Sequence, residues 1–288
     1  MFSTAEAATP GDAFQRAEHL GLMISRLLES DLLDSNLGDD PQVPAARPRH
    51  VYRLATYTYE NAQFLREING LATGEGIRTE AKDVTPGDVV RVLEATIASL
   101  KELAPIYNVD LDIPAPAITG EKKPADVLAR LRTVNDGLQK LGTPRPLPND
   151  VYRIALSIGE QAKAMTAKRN VKPTGKPTRV TKATPANALK ETVKLIDDLD
   201  KLSKSNADFA LPNGITPPPP APRGSSVTPG HVLLATQYAL ADVYALNIKL
   251  GYSQELVLPP IQSGKTPTDV TNIIAEARLH LNALATSK

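Results

Sequence analysis

The stretch Thr85-Pro86-Gly87-Asp88-Val89 shows how this chain begins its helices. A threonine side chain before a helix can accept a hydrogen bond from one of the first backbone N–H groups, which have no partner inside the helix. Proline suits the first helical position because its missing N–H would be unpaired there anyway. An acidic side chain three residues after the threonine can accept from the threonine N–H and close a capping box. The stretch therefore predicts a helix that begins at Pro86.

Seven further stretches repeat this pattern with varying completeness. Each contains a proline that is followed, after two more residues, by valine or alanine, and then by apolar residues at alternating intervals of four and three. This spacing is typical of one face of an amphipathic helix. The opening prolines are Pro10, Pro48, Pro86, Pro124, Pro148, Pro185, Pro229 and Pro267. The sequence predicts helices over about 10–31, 48–69, 86–107, 124–141, 148–169, 185–205, 229–250 and 267–286.

The predicted helix ends agree with these starts. Gly70, Asn108, Asn170 and Gly251 each stand 22 residues after an opening proline. Glycine and asparagine tolerate the left-handed backbone that often follows a helix. We therefore expect helices of roughly 33 Å in length.

The opening prolines recur between the two halves of the chain. Each proline of the first half has a counterpart 137 to 143 residues later. This offset predicts an all-α protein built as tandem duplicated four-helix bundles, with a first unit over 1–143 and a second over 148–288. An α-solenoid and a single eight-helix domain remain alternatives, because a fixed period of 20 to 50 residues is also the usual sign of a solenoid.

The connectors between the predicted helices are unusually long. Connectors of this length are often functional or disordered. Val109, Leu111 and Ile113 alternate with polar residues in one of them, and 256–258 is an apolar run in another. We therefore expect ordered, extended connectors that lie against the helices.

The composition excludes several classes of function. The 288 residues include no cysteine, which rules out disulfides, thiolate metal sites and cysteine chemistry. The formal net charge is +1, so the overall charge does not favour nucleic acid as a partner. No apolar run is long enough for a membrane span. A nucleophile elbow, a phosphate-binding glycine loop and an HExxH motif are also missing, so we expect no enzyme activity and no cofactor.

The first eight residues bear on localisation. They lack the basic and apolar regions of a signal peptide, yet Ala5-Glu6-Ala7 has the small-x-small pattern of a cleavage site. We expect a periplasmic or secreted protein whose signal peptide is absent from this chain. A cytoplasmic location is the alternative.

Aromatic residues are concentrated on the second predicted helix. Tyrosine combines an apolar ring with a polar hydroxyl, which suits a ligand pocket, an interface or plain core packing. The predicted ligand or interface residues are Tyr52, Tyr57, Tyr59, Phe64, Tyr238 and Tyr244.

Histidines and charged clusters offer no convincing metal site. His50 and His231 occupy the capping position where most other copies have aspartate or asparagine, so we expect a capping role. The acidic residues around Gly38 miss the spacing of an EF-hand and predict an acidic surface loop. The basic stretch over 163–182 contains no aromatic residue for base stacking and predicts a solvated loop.

These features favour a non-enzymatic helical-bundle protein that binds a small ligand or a partner protein between its helices or under its connectors. One alternative is a structural or assembly protein that presents repeated helical faces and forms homo-oligomers. A further alternative is a metal-binding or redox bundle that uses the histidines.

Overall fold

The computed structural model describes residues 7–286, so the cleavage-like pattern lies outside the described residues except for Ala7. Within that range the fold is all-α, as predicted. The helices are α1 Pro10–Ser30, α2 Pro48–Ile68, α3 Pro86–Lys101, α4 Ala104–Tyr107, α5 Pro124–Lys140, α6 Pro148–Lys168, α7 Pro185–Ser205, α8 Pro229–Lys249 and α9 Pro267–Thr286. Every predicted start is confirmed, and the predicted ends agree within one residue except in the third helix.

One hydrogen bond, shared by all eight long helices, fixes their starts. The backbone N–H before each opening proline donates to the side chain three residues later, over 2.7 to 3.0 Å. The acceptor is aspartate in five helices, Asn187 in α7, and the Nδ1 atom of His50 and of His231 in α2 and α8. The predicted capping role of both histidines is confirmed.

The predicted helix over 86–107 is wrong in one respect, because it is interrupted between α3 and α4. Pro105 has no N–H to donate to the carbonyl of Lys101, and its ring crowds that carbonyl. α3 therefore ends at Lys101, and Pro105 lies in the first turn of α4, where proline is tolerated. The apolar spacing continues through Leu103 and conceals the break.

Left-handed residues follow the helices where the sequence predicts them. The φ angle is 77° at Gly70, 51° at Asn108, 52° at Asn170 and 76° at Gly251. These are conformations that glycine and asparagine adopt at low cost.

The chain divides into two compact units. The first runs to Ile77 and continues over Val84–Arg145, and the second comprises Arg78–Asp83 and the chain from Pro146. Within the second unit, Thr79 exchanges two backbone hydrogen bonds with Leu256, over 3.2 and 2.9 Å. The predicted boundaries of the two units, 1–143 and 148–288, stay a prediction.

The helices of both units pack in the same cyclic order. In the first unit, α1 and α2 each pack against α3 and α5. In the second unit, α6 and α7 each pack against α8 and α9. The first two long helices of each unit therefore lie diagonally opposite each other.

The long helices within each unit are parallel. Their opening prolines meet at one end, together with the alanine or valine three residues later, and leave an apolar space of only about 10 Å³. Bonds between neighbouring helices also join residues at similar distances from their opening prolines, as between Gln63 Nε2 and Ser99 Oγ at 2.7 Å. Each unit is thus a parallel four-helix bundle.

A parallel bundle places the positive ends of four helix dipoles side by side. The capping aspartates put negative charge at these ends and offset the repulsion. Hydrogen bonds from Thr9 lower the pKa of Asp12, and hydrogen bonds from Thr266 lower the pKa of Asp269. Both carboxylates are therefore stabilised in their charged form.

Parallel helices require each connector to return along the bundle. A 21-residue helix is about 31 Å long, whereas 17 extended residues span about 56 Å, so the connectors are long enough. Residues 31–47 run along α1 and α5, and residues 169–184 run along α9. The first segment carries four aspartates and the second carries five lysines and arginines. We name them the acidic strap and the basic strap.

Other connectors also pack against the helices. Leu111 and Leu256 are buried, which confirms the expectation of ordered connectors at these positions. Val257 is exposed, so the apolar run over 256–258 is only partly buried.

Candidate binding groove

The acidic strap borders an open groove at the proline end of the first unit. The groove has a volume of about 560 Å³. Strap residues 40–44 form one wall, and the first turns of α1 and α5 form the other. The lining residues from these helices and the residues before α5 are Phe14, Lys122, Ala125, Asp126 and Ala129.

Proline explains how the strap runs along the edge of the groove. Pro41 and Pro44 have no backbone N–H, so two donors that would need partners are absent. Each proline also restricts the preceding residue to extended conformations. The strap can therefore remain extended beside the groove with few backbone hydrogen bonds.

An aromatic ring and a lysine meet at the base of the groove. Phe14 is 8% exposed. The Nζ atom of Lys122 lies 4.5 Å from the centre of the Phe14 ring, in a cation–π contact. The second unit repeats this pair, because Lys265 Nζ lies 4.4 Å from the centre of the Tyr152 ring.

Asp40 anchors the strap at the edge of the groove. Its carboxylate accepts a hydrogen bond from Thr133 Oγ1 over 2.7 Å and lies 3.5 Å from Arg130 Nη1. Arg130 also pairs with Glu18 over 3.2 Å. A Cβ atom on Gly21 would lie 2.2 Å from Arg130 Nη2, so the glycine makes room for this arginine.

The charged side chains around the groove differ in their partners within the protein. Asp126 accepts the capping hydrogen bond from the Lys123 N–H over 2.8 Å, and Asp40 is held by Thr133 and Arg130. Lys122 makes no salt bridge within residues 7–286. Its ammonium group contacts the Phe14 ring and can also pair with an acidic group of a ligand.

The predicted aromatic residues lie elsewhere. Tyr52 and Tyr59 are buried and Tyr57 is half-buried, whereas Phe64 is 36% exposed. Tyr238 and Tyr244 are buried on α8 of the second unit. None of the six lines the groove, and their role in ligand binding stays a prediction.

Two of these tyrosines hold connectors in place. The Tyr59 hydroxyl donates to the carbonyl of Glu75 over 3.1 Å. The Tyr244 hydroxyl lies within hydrogen-bond distance of the carbonyl of Gln254, at 2.9 Å, and of Thr79, at 3.2 Å. Burial raises the pKa of Tyr59, which keeps its hydroxyl protonated as a donor.

The remaining histidines do not line the groove, and His19 is buried whereas His280 is half-buried. Burial lowers the pKa of His19, and a hydrogen bond to the backbone of Ile113 opposes this effect. Burial also lowers the pKa of His280, whose Nδ1 atom lies 2.9 Å from Thr166 Oγ1. In the described part of the chain, no three histidine or acidic side chains gather where a metal ion could bind. No described helix combines the length and apolarity needed to cross a membrane.

The sequence analysis missed Phe14 and Lys122, although a signal for them exists. Phe14 and Tyr152 each lie four residues after the first opening proline of their unit, and Lys122 and Lys265 each lie two residues before the last opening proline. An aromatic residue and a lysine that recur at matching positions indicate a contact in both units. The open groove depends on the path of the strap, which this spacing does not reveal.

No protein-family model matches the chain, and neither the curated proteins nor the solved structures contain a match. The groove and the straps are the features of the chain that bear on its function.

Proposed function

We propose that this protein is a non-enzymatic binding protein whose groove at Phe14 takes a small anionic, amphipathic molecule. The apolar body of the ligand would lie against Phe14, Pro41 and Val43, and its acidic group would pair with Lys122. The single observation that carries the proposal is a ligand-sized groove containing one lysine that makes no salt bridge to a carboxylate within residues 7–286.

The dimensions favour a small molecule over a partner protein. Pockets that bind small ligands usually have volumes of about 300 to 1,000 Å³, and the groove falls within this range. The prolines at the strap edge restrict its conformations, so less entropy is lost when a ligand orders the groove. A partner protein that inserts one side chain into the groove is the second candidate.

A thermal-shift screen tests this proposal. Straight-chain fatty acids should raise the melting temperature, whereas the matching alcohols should have a smaller effect because they lack the charge that pairs with Lys122. Lys122→Met should reduce the response to the acids. Lys265→Met is the matched control, because Lys265 makes the same contact in the second unit, where Thr268 Oγ1 bonds to the strap at the Ala183 N–H. Equal responses of both variants, or no response to any acid, would contradict the proposal.

We further propose that the two units derive from a tandem duplication. The cyclic order of the helices, the opening prolines and the lysine–aromatic pairs support it. Experimental structures of the units should superpose best when α1 is matched to α6 and α2 to α7. A better superposition in another register would contradict duplication.

The periplasmic or secreted location stays a prediction. Fractionation of the native cells, with detection of the protein by antibody, tests it directly. Recovery with the cytoplasmic fraction would contradict export.

A further inference from the structure

The acidic and basic straps carry opposite charges at comparable places in the two units. Each strap follows the first long helix of its unit and contacts the last one. Residues 31–47 contain four aspartates and one arginine, whereas residues 169–184 contain five basic residues and no acid. The net charge of the whole chain, +1, conceals this separation.

The basic strap presents its charges to solvent. Lys172, Lys176, Arg179 and Lys182 are all exposed, and none of them makes a salt bridge within the described range. They are three or four residues apart, which corresponds to about 10 to 13 Å in an extended chain. The strap therefore offers a row of regularly spaced cations.

The backbone of the basic strap is bonded to α9 at Val180 and Ala183. The amide of Asn272 accepts from the Val180 N–H over 2.9 Å and donates to the Val180 carbonyl over 3.1 Å. The Ala183 N–H donates to Thr268 Oγ1 over 2.9 Å. These contacts use backbone atoms, and the lysines of the strap stay exposed.

The acidic strap offers the complementary charges. Asp31 and Asp39 are exposed and make no salt bridge in the part of the chain that the structure describes. Asp34 is exposed too, and its hydrogen bond to the Asn36 N–H, together with Lys140, lowers its pKa. These carboxylates are spaced three and five residues apart, comparable to the cations of the basic strap.

We propose that the acidic strap of one copy binds the basic strap of a second copy. This pairing uses a different strap on each partner, so it leaves one strap free at each end of a dimer. Such head-to-tail contacts generate open chains or closed rings. The proposal does not depend on the groove, because the exposed charges of the straps and the Phe14–Lys122 contact involve different side chains.

A second copy fits the basic strap better than a nucleic acid does. The strap contains no aromatic residue to stack on bases, which single-strand binders normally use. The chain itself supplies a strap of opposite charge and similar spacing. Complementary charge patterns of this kind guide association between proteins.

The association should be weak and sensitive to salt. Exposed ion pairs contribute little individually, and they are screened as the Debye length falls from about 30 Å at 0.01 M salt to about 3 Å at 1 M. We expect the average mass measured by sedimentation to exceed that of one chain at low salt and to return to it at high salt.

Two charge-neutralised variants provide the decisive experiment. The first carries Lys172→Gln, Lys176→Gln and Lys182→Gln, and the second carries Asp31→Asn and Asp39→Asn. All five residues are exposed, and circular dichroism and thermal unfolding would confirm that both variants remain folded. Each variant alone should stay monomeric at low salt. A mixture should form a 1:1 dimer and nothing larger, because each variant retains only one of the two straps.

Other outcomes would overturn the proposal. A wild-type protein that stays monomeric at low salt and high concentration would do so, as would variants that associate as strongly as the wild type. Capture of polyphosphate by a monomeric wild-type protein would instead identify a foreign polyanion as the partner of the basic strap. Failure of the fatty-acid screen leaves these results unchanged, so the two proposals can fail separately.

Discussion

The acidic and basic straps both return along a bundle, but they are held against it by different contacts. The acidic strap is held partly through its own side chains, since Asp34 bonds to Lys140 and Asp40 bonds to Thr133. The basic strap is held through its backbone by Asn272 and Thr268 of α9. In the acidic strap, the aspartates that hold the strap are not available for other contacts. In the basic strap, the backbone makes the contacts, so the charged side chains can point to solvent. The first arrangement accompanies the groove, and the second accompanies the exposed row of cations.

The largest effect is expected from filling the space under the acidic strap. A Cβ atom on Gly137 would lie 2.8 Å from both Ile24 Cγ2 and Leu37 Cδ2. Gly137→Ala should therefore force Leu37 of the strap from its seat and lower the free energy of unfolding by about 1 to 3 kcal/mol, as overpacking usually does. Urea denaturation measures the change.

Gly159→Ala is the control in the second unit. A Cβ atom there would lie 3.6 Å from Ile273 Cγ1, an ordinary contact. Because alanine favours helices over glycine, this variant should be neutral or stabilised by up to about 1 kcal/mol. If both variants lost the same free energy of unfolding, the close contact with the strap would not be the reason for glycine at position 137.

Removing the hydrogen bonds between Asn272 and the basic strap should have a local effect on stability. Asn272→Ala removes the acceptor of the Val180 N–H and the donor to the Val180 carbonyl. At about 1 kcal/mol for each net hydrogen bond, hydrogen exchange at the Val180 amide should accelerate at least fivefold. Amides of the acidic strap serve as the internal control. An unchanged Val180 rate would mean that these hydrogen bonds do not hold the strap.

The stability of both units should depend on pH, because each contains a histidine with a lowered pKa. Burial lowers the pKa of His19 and of His280 below the ordinary value of 6.5. In the window between the lowered folded pKa and 6.5, the unfolded chain binds more protons, so stability should rise with pH and be lost as the pH falls below 6.5. Replacing each histidine with glutamine should flatten this slope in unfolding experiments across pH 7 to 5. A slope that survives both replacements would assign it to other groups.

The smallest effect on stability should come from the lysine–aromatic pairs. Exposed cation–π contacts contribute about 0.5 to 1 kcal/mol, so Lys122→Met and Lys265→Met should cost similar, small amounts in chemical denaturation. Only Lys122→Met should alter the response to anionic ligands. A large loss in either variant would show that the lysine has a structural role beyond the ring contact.

Much of the scaffold could be predicted because its determinants are local. The opening proline and the capping side chain act within four residues, so the sequence alone locates every long helix start, and even the histidine caps obey the rule. Pro105 is equally local, but its effect was hidden by an apolar pattern that continues past it. Local signals of this kind can be recognised in the sequence without any knowledge of the tertiary fold.

The groove could not be predicted because it depends on residues far apart in the chain. Gly21 matters only because Arg130 crosses it to reach Asp40, and Asp40 matters only because Thr133 holds it. The parallel arrangement could almost be predicted from the sequence, because the connectors are long enough to return along a helix. The predicted tyrosines are packed or exposed in other places, because aromatic content alone does not distinguish a pocket from a core.

Distances between spin labels test whether the helices of each bundle are parallel. The chain has no cysteine, so pairs of labels can be placed without removing native thiols. In the first unit, Glu29 and Lys101 lie near the same end, about 6 Å apart along the bundle, whereas Glu29 and Arg91 are separated by about 21 Å. In the second unit, Asn282 paired with Lys204 and with Lys190 gives separations of about 6 and 15 Å.

Parallel bundles predict that the Glu29/Lys101 and Lys204/Asn282 pairs give the shorter distance in their units, as measured by pulsed electron paramagnetic resonance. Antiparallel neighbours would reverse the order in both comparisons. That reversal would contradict the parallel arrangement, and with it the requirement for returning straps and the groove that one of them borders.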